Sequence, residues 1–313
     1  MTQKISCIIP VYNEAANIDQ LYRRLRQALN KDFHYVQHEI IFVDDGSSDG
    51  TFEALARIQS VDPSVAVLQF SRNFGHHIAI TAGLDMAEGD VVVMMDGDLQ
   101  DQPEEIIKLY RKLQDGYDVV YAERKKKRFH PIKRCASYFF NMVIRQLIHE
   151  PIVVNSTIFR IMTKQVVDNI RLLREHNRYI VGIIGWVGFR HAPQEVEHGT
   201  RYAGKSKYDF SKQVALALNA IFSFSRYPLR LIMKIGLSFV ALSFVFACTI
   251  IYRKIMYNTP VAGWSSLIVS LLCIGGIQII ILGVIAEYLG RSYMEIKNRP
   301  LYVIRQYLHD SHS

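Results

Sequence analysis

Three carboxylates within six positions follow a short apolar run, and they are the residues best suited to chemistry in this sequence. Residues 92–95 are Val or Met, and Asp96, Asp98 and Asp101 come soon after them. Such a run predicts a buried strand, and open α/β sheets bind ligands at the carboxyl ends of their strands. Asp96 and Asp98 can face a single hard cation that also carries a phosphorylated ligand. A strand end with a polar turn is the alternative interpretation.

Two further strand ends carry polar residues. Asn13 and Glu14 follow the apolar residues 4–11, and Asp44 and Asp45 follow residues 39–43. Apolar runs at 65–70 and 117–121 alternate with helical patterns, which predicts a mostly parallel, three-layer α/β sheet. Because the carboxyl ends of parallel strands share one edge, we expect the three polar clusters to converge there. The sequence contains neither GxGxxG nor a Walker lysine loop, so neither a dinucleotide fold nor a P-loop is favoured.

The composition indicates a reducing compartment and a hydrophobic C-terminal part. The 313 residues have a net charge of +8 and a mean hydropathy of +0.07, and the apolar excess is concentrated in residues 235–288. The four cysteines are widely spaced without a CxxC pair, which indicates neither a disulfide framework nor a zinc site. We expect no N-terminal signal sequence. A nucleic-acid partner is not expected either, because no aromatic platform accompanies the basic run at 124–128.

Two basic segments have two interpretations each. The basic run at 124–128 has two interpretations. It is either a solvated loop, or a mobile flap that covers phosphates or lies against an anionic membrane surface. Residues 201–208 place three cations around a glycine and a serine, which is typical of a loop over an anion or of a basic juxtamembrane segment. Residues 133–149 predict an amphipathic helix, for which core packing and a membrane interface both remain open. Residues 209–225 predict an apolar helix on or near the bilayer.

Two uncharged stretches predict a transmembrane hairpin, with a buried apolar hairpin as the alternative. Residues 235–252 and 264–286 contain no charged residue, and the second is long enough to cross a hydrocarbon core of about 30 Å. Adding flanking residues gives spans of about 229–252 and 264–287. Basic residues flank the hairpin on both sides, so the positive-inside rule predicts cytoplasmic termini. We therefore expect a cytoplasmic domain at 1–225, the hairpin within 226–290 and a basic cytoplasmic tail at 291–313.

Five segments taken in order resemble the family 2 glycosyltransferases of the GT-A fold. They are residues 11–14 (VYNE), 44–51 (DDGSxDxT), 71–75 (SRNFG), 96–103 (DxDLQDxP) and 201–208 (RxxGxSKY). The resemblance is greatest to the polyprenyl-phosphate branch, which includes dolichol-phosphate mannose synthase and the bactoprenol glucosyltransferases. The end of the hairpin looks like the latter. The resemblance implies a Rossmann-like GT-A catalytic domain, followed by interfacial helices and the hairpin.

The same resemblance implies an inverting transfer of a sugar from a nucleotide diphosphate to a lipid phosphate. The donor-binding positions would be Pro10, Tyr12, Asn13, Glu14, Asp44, Asp45, Arg72 and Arg124. The catalytic positions would be Asp96, Asp98, Gln100, Arg201 and Lys207. Asp98 would bind the metal directly with Asp96 beside it, and an oxygen-ligated site of this kind suits Mg²⁺ or Mn²⁺. Arg124, Arg201 and Lys207 would contact phosphates, and Gln100 would lie near the sugar.

One position departs from the family pattern. Relatives commonly carry an acidic residue before the aromatic-Arg pair that corresponds to Phe159 and Arg160, and here that residue is Ile158. A carboxylate proposed as general base is therefore missing. The acceptor does not strictly require one, because a phosphate monoester with a second pKa near ~6 is already largely anionic at neutral pH. The change also fits a different sugar or an impaired enzyme.

These observations lead us to expect a polyprenyl-phosphate glycosyltransferase of the bacterial inner membrane. The expected reaction moves glucose from UDP-glucose to undecaprenyl phosphate at the cytoplasmic face, for later use in O-antigen-type lipopolysaccharide modification. The alternative donors carry GlcNAc, GalNAc, mannose or a modified pentose. A non-catalytic membrane partner of a glycan-modification system is the alternative from another class. The resemblance further implies a homotetramer.

Overall fold

The computed structural model describes residues 4–33, 36–124, 157–197, 199, 227–257 and 263–309. The chain forms two compact units. The first combines Met1–Lys212 with Pro300–Ser313, and the second is Gln213–Arg299.

The first unit is built on one eight-stranded sheet in the order β7-β5-β6-β4-β1-β2-β3-β8. The strands are β1 (Lys4–Val11), β2 (Gln37–Asp44), β3 (Val65–Phe70), β4 (Val91–Met94), β5 (Val119–Arg124), β6 (Arg160–Thr163), β7 (His191–Val196) and β8 (Ile304–Leu308). The helices of this unit are α1 (Ala15–Asp32), α2 (Thr51–Gln59), α3 (His76–Met86), α4 (Ile106–Gln114), α5 (Lys164–Leu172) and α6 (Ile180–Trp186), and Pro103–Glu105 forms a 3₁₀ turn before α4.

The centre of the sheet is parallel, as the alternation of strands and helices predicts. β4, β1, β2 and β3 lie side by side and run in one direction. Their runs of Val, Ile and Leu are buried because helices cover both faces of a parallel sheet. In register, Met94 pairs with Ile8 and Asp44 pairs with Val11. The carboxyl ends of β1, β2 and β4 therefore meet at one edge, which confirms the expected convergence of the polar clusters.

The outer strands differ from the sequence-based expectation. β6 is inserted between β4 and β5 and runs antiparallel to both, and Arg160 pairs with Met94 and Tyr121. The sequence pattern predicts no strand at 160–163 and none at 191–196. The fifth strand, expected at 117–121, spans Val119–Arg124. A strand of four residues such as β6 is too short to show a periodicity, and distant pairing decides whether it forms.

The last strand lies within residues 291–313, the segment that the sequence predicts to be a basic cytoplasmic tail. β8 pairs antiparallel with β3, with Leu308 opposite Val67 and Ile304 opposite Phe70. The pairing is irregular between Gln69 and Phe70, where the register shifts. Its five residues, Ile-Arg-Gln-Tyr-Leu, alternate apolar and polar side chains only weakly, so the local pattern does not reveal the strand.

The second unit contains two long helices, α7 (Tyr227–Tyr257) and α8 (Trp264–Ile296). Within the described residues, one segment, Ile274–Ile296, is long and apolar enough to cross a membrane, and the apolar part of α7, Gly236–Phe246, is shorter. Large apolar side chains on both helices are exposed, among them Phe244 on α7 and Ile279 on α8. The helices expected at 133–149 and 209–225 lie outside the described residues.

Candidate active site

The first part of the site joins the turn after β1 to the turn after β2. Asn13 has a φ of 55°, and its side-chain oxygen accepts a hydrogen bond from the amide of Ser48 at 2.9 Å. Its own amide donates to Ser47 Oγ at 2.9 Å. The next amide, that of Glu14, donates to Thr51 Oγ1 at 2.9 Å. These bonds fix the two turns to each other and leave Tyr12, with 42% of its surface exposed, on the rim.

Asp45 connects the end of β2 to the loop that precedes α3. Its amide donates to Val11 O at 2.9 Å, and its carboxylate accepts hydrogen bonds from the amides of Phe74 at 2.7 Å and Gly75 at 2.9 Å. The residue is only 3% exposed. Burial raises the pKa of Asp45 above its ordinary value, although both amide hydrogen bonds oppose the shift. In this conformation Asp45 organises the loop at 71–75.

A glycine lets this loop approach the sheet closely. Gly46 has a φ of +70°, and a Cβ on it would lie 2.5 Å from the carbonyl carbon of Arg72. Only glycine fits such a position without moving the backbone. The guanidinium of Arg72 lies 4.0 Å from the centre of the Phe74 ring and is exposed at the rim.

The loop after β4 presents the central carboxylates. Asp96 and Asp98 are partly exposed, and the intervening Gly97 packs against β1, where a Cβ would lie 2.7 Å from Val11 Cγ1. Asp98 accepts hydrogen bonds from the amide of Gln100 at 3.1 Å and from its side-chain Nε2 at 2.7 Å. The buried Asp101 accepts the amide of Asp96 at 3.1 Å. The loop is therefore held by its own side chains, and both metal-binding candidates are only partly exposed.

His76 joins the two halves of the site, and it is not among the residues predicted from the sequence. Its Nε2 lies 3.2 Å from Asp96 Oδ1, while the preceding Gly75 is bonded to Asp45. Burial lowers the pKa of His76, but the hydrogen bond to Asp96 and the nearby carboxylate charges outweigh burial and raise it overall. The available signal was that His76 directly follows the 71–75 motif, whose last residue, Gly75, has a φ of 104° and is the N-cap of α3.

The residues present suit a hard divalent cation. Asp96 and Asp98 supply charged oxygens at partly exposed positions. No group of three or more His, Cys, Asp or Glu side chains that could hold a metal ion occurs within the residues the structure describes. Mg²⁺ and Mn²⁺ fit such an open arrangement, because they commonly complete their coordination with phosphate oxygens and water.

Asp44 and Pro10 lie beneath the turns of the site, and their role in donor binding stays a prediction. Asp44 is fully buried, and its two oxygens accept hydrogen bonds from the amide of Ser47 at 3.0 Å and from Gln69 Nε2 at 3.2 Å. Its side chain points to the side of β2 opposite to that of Asp45, because neighbouring residues of a strand alternate. Pro10 is buried as well, and its carbonyl oxygen packs beside Gly97. Both residues support the turns from within.

The remaining predicted residues lie at the ends of described segments or beyond them. Arg124 is the last residue of β5 and pairs with Val196. Arg201 and Lys207 lie outside the described residues. Just before them, the amide of Gly199 donates to Gln100 O at 2.9 Å. The chain therefore reaches the loop after β4 two residues before Arg201.

The position of Ile158 is fixed by the buried Arg160. The guanidinium of Arg160 donates to Thr157 O at 2.6 Å and to Ile158 O at 3.3 Å. Burial lowers the pKa of Arg160 to about 10, so the side chain remains a cation at neutral pH. The segment that lacks the family's carboxylate is therefore held just before the start of β6, next to the carboxyl end of β4.

Solved structures share this fold. A mannosyltransferase from Pyrobaculum calidifontis, in complex with GDP-Man and Mn²⁺, has a TM-score of 0.51 at 17% identity, with 95% of this chain and 87% of that chain covered. A glucosyl-3-phosphoglycerate synthase from Mycobacterium tuberculosis has a TM-score of 0.50 at 18% identity, with coverage of 70% and 78%. At this level of identity the likeness shows the GT-A-like α/β fold and nothing further.

Sequence comparison identifies the family. Residues 6–171 match Glycosyl transferase family 2. The bactoprenol glucosyl transferase of Shigella phage SfII is 40% identical over 304 residues, which cover 97% of this chain and 98% of that protein. The uncharacterized glycosyltransferase YkcC of Bacillus subtilis is 39% identical over 303 residues, covering 96% and 93%. The chain is therefore a glycosyltransferase of family 2 and belongs with the bactoprenol glucosyl transferases within it.

Proposed function

We propose that this glycosyltransferase transfers glucose from UDP-glucose to undecaprenyl phosphate at the cytoplasmic face of the bacterial inner membrane. The observation that carries the proposal is the meeting of Asp45, His76, Asp96 and Asp98 at one sheet edge, in a chain matched along 97% of its length by a bactoprenol glucosyl transferase. The product would be a lipid-linked sugar for surface polysaccharide modification of the O-antigen type.

The two halves of the site suit the two ends of a nucleotide sugar. Tyr12, Asn13 and the loop held by Asp45 form a rim of aromatic and polar groups for the base and ribose. Asp96 and Asp98 face the position of the diphosphate and would hold Mg²⁺ or Mn²⁺. When bound, the cation supplies positive charge that stabilises the departing diphosphate.

The transfer itself is a single displacement. An oxygen of the acceptor phosphate bonds to the anomeric carbon while the bond from that carbon to the diphosphate oxygen breaks, and UDP leaves with the electron pair. The configuration at the anomeric carbon inverts. Because the acceptor phosphate is largely ionised at neutral pH, Ile158 in place of an acidic residue is compatible with this reaction.

Arg201 and Lys207 are proposed to hold phosphate groups at the same edge. The hydrogen bond from Gly199 to Gln100 supports this assignment. Gly199 is the last described residue before Arg201, and it contacts the loop that carries Asp98. An arginine and a lysine at that point can neutralise the donor diphosphate, the acceptor phosphate or both.

The proposed membrane topology is a hairpin made by α7 and α8. Strands before and after these helices belong to one sheet, so the intervening chain has to cross a bilayer an even number of times. If α8 crosses, α7 is the helix available for the return. Basic residues on both flanks favour the cytoplasmic side for the catalytic unit. We further propose a homo-oligomer, with a tetramer suggested by the family resemblance.

The decisive assay combines membranes that contain the protein with undecaprenyl phosphate, Mg²⁺ or Mn²⁺ and radiolabelled nucleotide sugars. We expect label from UDP-glucose to enter the lipid fraction. If the lipid is instead labelled from UDP-GlcNAc, UDP-GalNAc, GDP-mannose or a modified pentose donor, the type of reaction is as proposed but the transferred sugar is not glucose. If no donor labels the lipid fraction, the proposal is wrong.

A further inference from the structure

The chain segment after α8 contacts the framework of the donor site, although it lies far outside the family-matching residues 6–171. We call residues 300–309 the C-terminal strap. Leu301 is 9% exposed, and Val303 O accepts a hydrogen bond from the amide of Ser71 at 2.9 Å. Ser71 is the first residue of the loop that Asp45 holds. The strap therefore touches that loop before β8 begins.

A row of aromatic rings leads from the strap to Asp45. The ring of Tyr302 stacks on that of Phe70, with centroids 5.2 Å apart and an angle of 17° between the planes. Phe70 meets Phe74 edge to face at 5.6 Å. The amide of Phe74 is the group that donates to Asp45 at 2.7 Å. Aromatic pairs of this geometry stabilise beyond their buried area, so the row restrains the loop.

The hydroxyl of Tyr302 restrains the other side of the site through α3. It donates to Asp85 Oδ2 at 2.8 Å, and Asp85 also pairs with Arg174 at 2.8 Å. Burial and the charge of Asp85 raise the pKa of Tyr302 to about 12, so the phenol keeps its proton and acts as donor at neutral pH. Asp85 lies near the end of α3, and the first residue of the same helix is His76, beside Asp96.

From these contacts we infer that Tyr302 is a positioning residue for the nucleotide sugar donor. Its ring fixes the loop at 71–75 through Phe70 and Phe74, and its hydroxyl fixes α3 through Asp85. Both halves of the donor site are thereby pre-ordered by the segment that follows the hairpin. A ligand that binds a pre-ordered loop loses less conformational entropy. The inference rests on the proposed function, because it concerns the donor of that reaction.

The test compares variants of the full-length protein in detergent, with UDP and Mn²⁺ as the probe. Tyr302→Leu keeps an apolar side chain and removes the ring, whereas Tyr302→Phe keeps the ring and removes the hydroxyl. We expect the UDP dissociation constant, measured by calorimetry, to rise about tenfold in Tyr302→Leu and less than threefold in Tyr302→Phe. In the transfer assay, the donor KM should rise in parallel, while kcat and the acceptor KM change less than twofold.

The matched control is Tyr307→Leu. Tyr307 lies on the same strap, is 46% exposed and stacks on His309 rather than on Phe70. UDP binding by this variant should stay within twofold of the wild type. If Tyr302→Leu also stays within twofold, or if both leucine variants weaken binding equally, the positioning role is refuted.

Hydrogen exchange separates this inference from the proposed function. Amides of residues 71–77 should exchange faster in Tyr302→Leu, while those of residues 106–114 remain unchanged. A second measurement uses the wild type alone. Adding UDP with Mn²⁺ should slow amide exchange both in residues 71–77 and in the strap. If the wild type binds no UDP, the proposed donor is wrong, and exchange at 71–77 in the variants still decides the inference. Unchanged exchange there would overturn it.

Discussion

At the scale of single residues, the site depends on carboxylates that are oriented by backbone amides. Asp45 accepts two amides of the following loop, and Asp101 accepts the amide of Asp96. Asp98 is oriented by Gln100. Groups held in this way need little rearrangement when substrate binds. His76 adds a contact to Asp96 that the motif pattern does not reveal.

Asp98→Asn should reduce sugar transfer by about 100-fold or more, because it removes a charged oxygen from the metal-diphosphate position. The melting temperature should change by less than about 2 °C, since Asp98 is partly exposed and asparagine can still accept from Gln100. Transfer rates at saturating Mg²⁺ and a thermal scan provide the measurements.

Asp115→Asn is the control for this change. Asp115 pairs with Lys112 at 3.0 Å on the surface and is 59% exposed, so transfer should stay within twofold of the wild type. An Asp98→Asn enzyme with more than a third of the wild-type rate would contradict the metal assignment.

His77 should make the fold less stable in mild acid. Burial and then the charge of His76 lower the pKa of His77 to about 4 from the ordinary value of 6.5. As the pH falls, His77 is therefore protonated in the unfolded chain before it is protonated in the folded protein. The contribution of neutral His77 to the free energy of unfolding is complete above pH 6.5 and is lost as the pH falls towards 4. Between pH 7 and pH 5 the loss should be roughly 2 kcal/mol.

The comparison with His77→Gln isolates this contribution from other titrating groups. Denaturant unfolding in detergent with EDTA should show a stability difference between the two proteins that shrinks or reverses as the pH falls. A difference that stays constant from pH 7 to pH 5 would mean that His77 is not buried in its neutral form.

At the scale of elements, four strand-to-helix turns meet at one sheet edge, and glycines permit their close approach. Gly46 brings the turn after β2 against the loop after β3, and Gly97 brings the loop after β4 against β1. The elements themselves are buried strands and the helices that cover them. The geometry of the site therefore depends on how closely these turns approach each other.

Gly46→Ala should destabilise the protein by about 2–3 kcal/mol and weaken UDP binding. The new Cβ would lie 2.5 Å from a backbone carbon of Arg72 at a φ of +70°, which combines steric overlap with a strained backbone. Denaturant unfolding and calorimetry of UDP binding provide the measurements.

Gly50→Ala is the matched control in the same turn. Gly50 has a φ of −77°, and its new Cβ would meet only Ala15 Cβ, at 4.0 Å. Its cost should stay below about 1 kcal/mol. Equal destabilisation by the two substitutions would show that close packing at Gly46 is not the cause.

At the scale of the whole molecule, one sheet contains strands from both ends of the chain. β8 follows the long helices and still pairs with β3, so the catalytic unit is closed by the segment that comes after α8. A membrane hairpin between two parts of one folded unit has both of its ends on the same side of the bilayer. This constraint leads to a labelling experiment.

In cells, Gly263→Cys and Lys297→Cys should be labelled from opposite sides of the inner membrane. The experiment uses a variant in which the four native cysteines are replaced. We expect a membrane-impermeant maleimide to reach the cysteine at 263 in intact cells with a permeable outer membrane. The cysteine at 297 should react only after lysis, because it follows α8 and precedes β8 in the chain, on the side proposed to be cytoplasmic. Equal labelling of both positions in intact cells would exclude the hairpin.

The amino-acid sequence by itself determined the parallel centre of the sheet and the clusters at its edge. The apolar runs of β1 to β4 carry their own pattern, and a parallel arrangement brings Asn13, Asp45 and Asp96 to one edge whatever the details of packing. The motif order then indicated the family. These inferences succeed because they depend on local periodicity and on a general property of parallel sheets.

Only the tertiary structure decided which groups each polar residue contacts. Asp44 and Asp45 are adjacent and chemically identical, yet hydrogen bonds to Gln69 and to Gly75 give them different roles. The pairing of β8 with β3 and the contact of Tyr302 with Phe70 join residues more than 200 positions apart. No local pattern encodes such contacts, because they depend on the packing of distant segments.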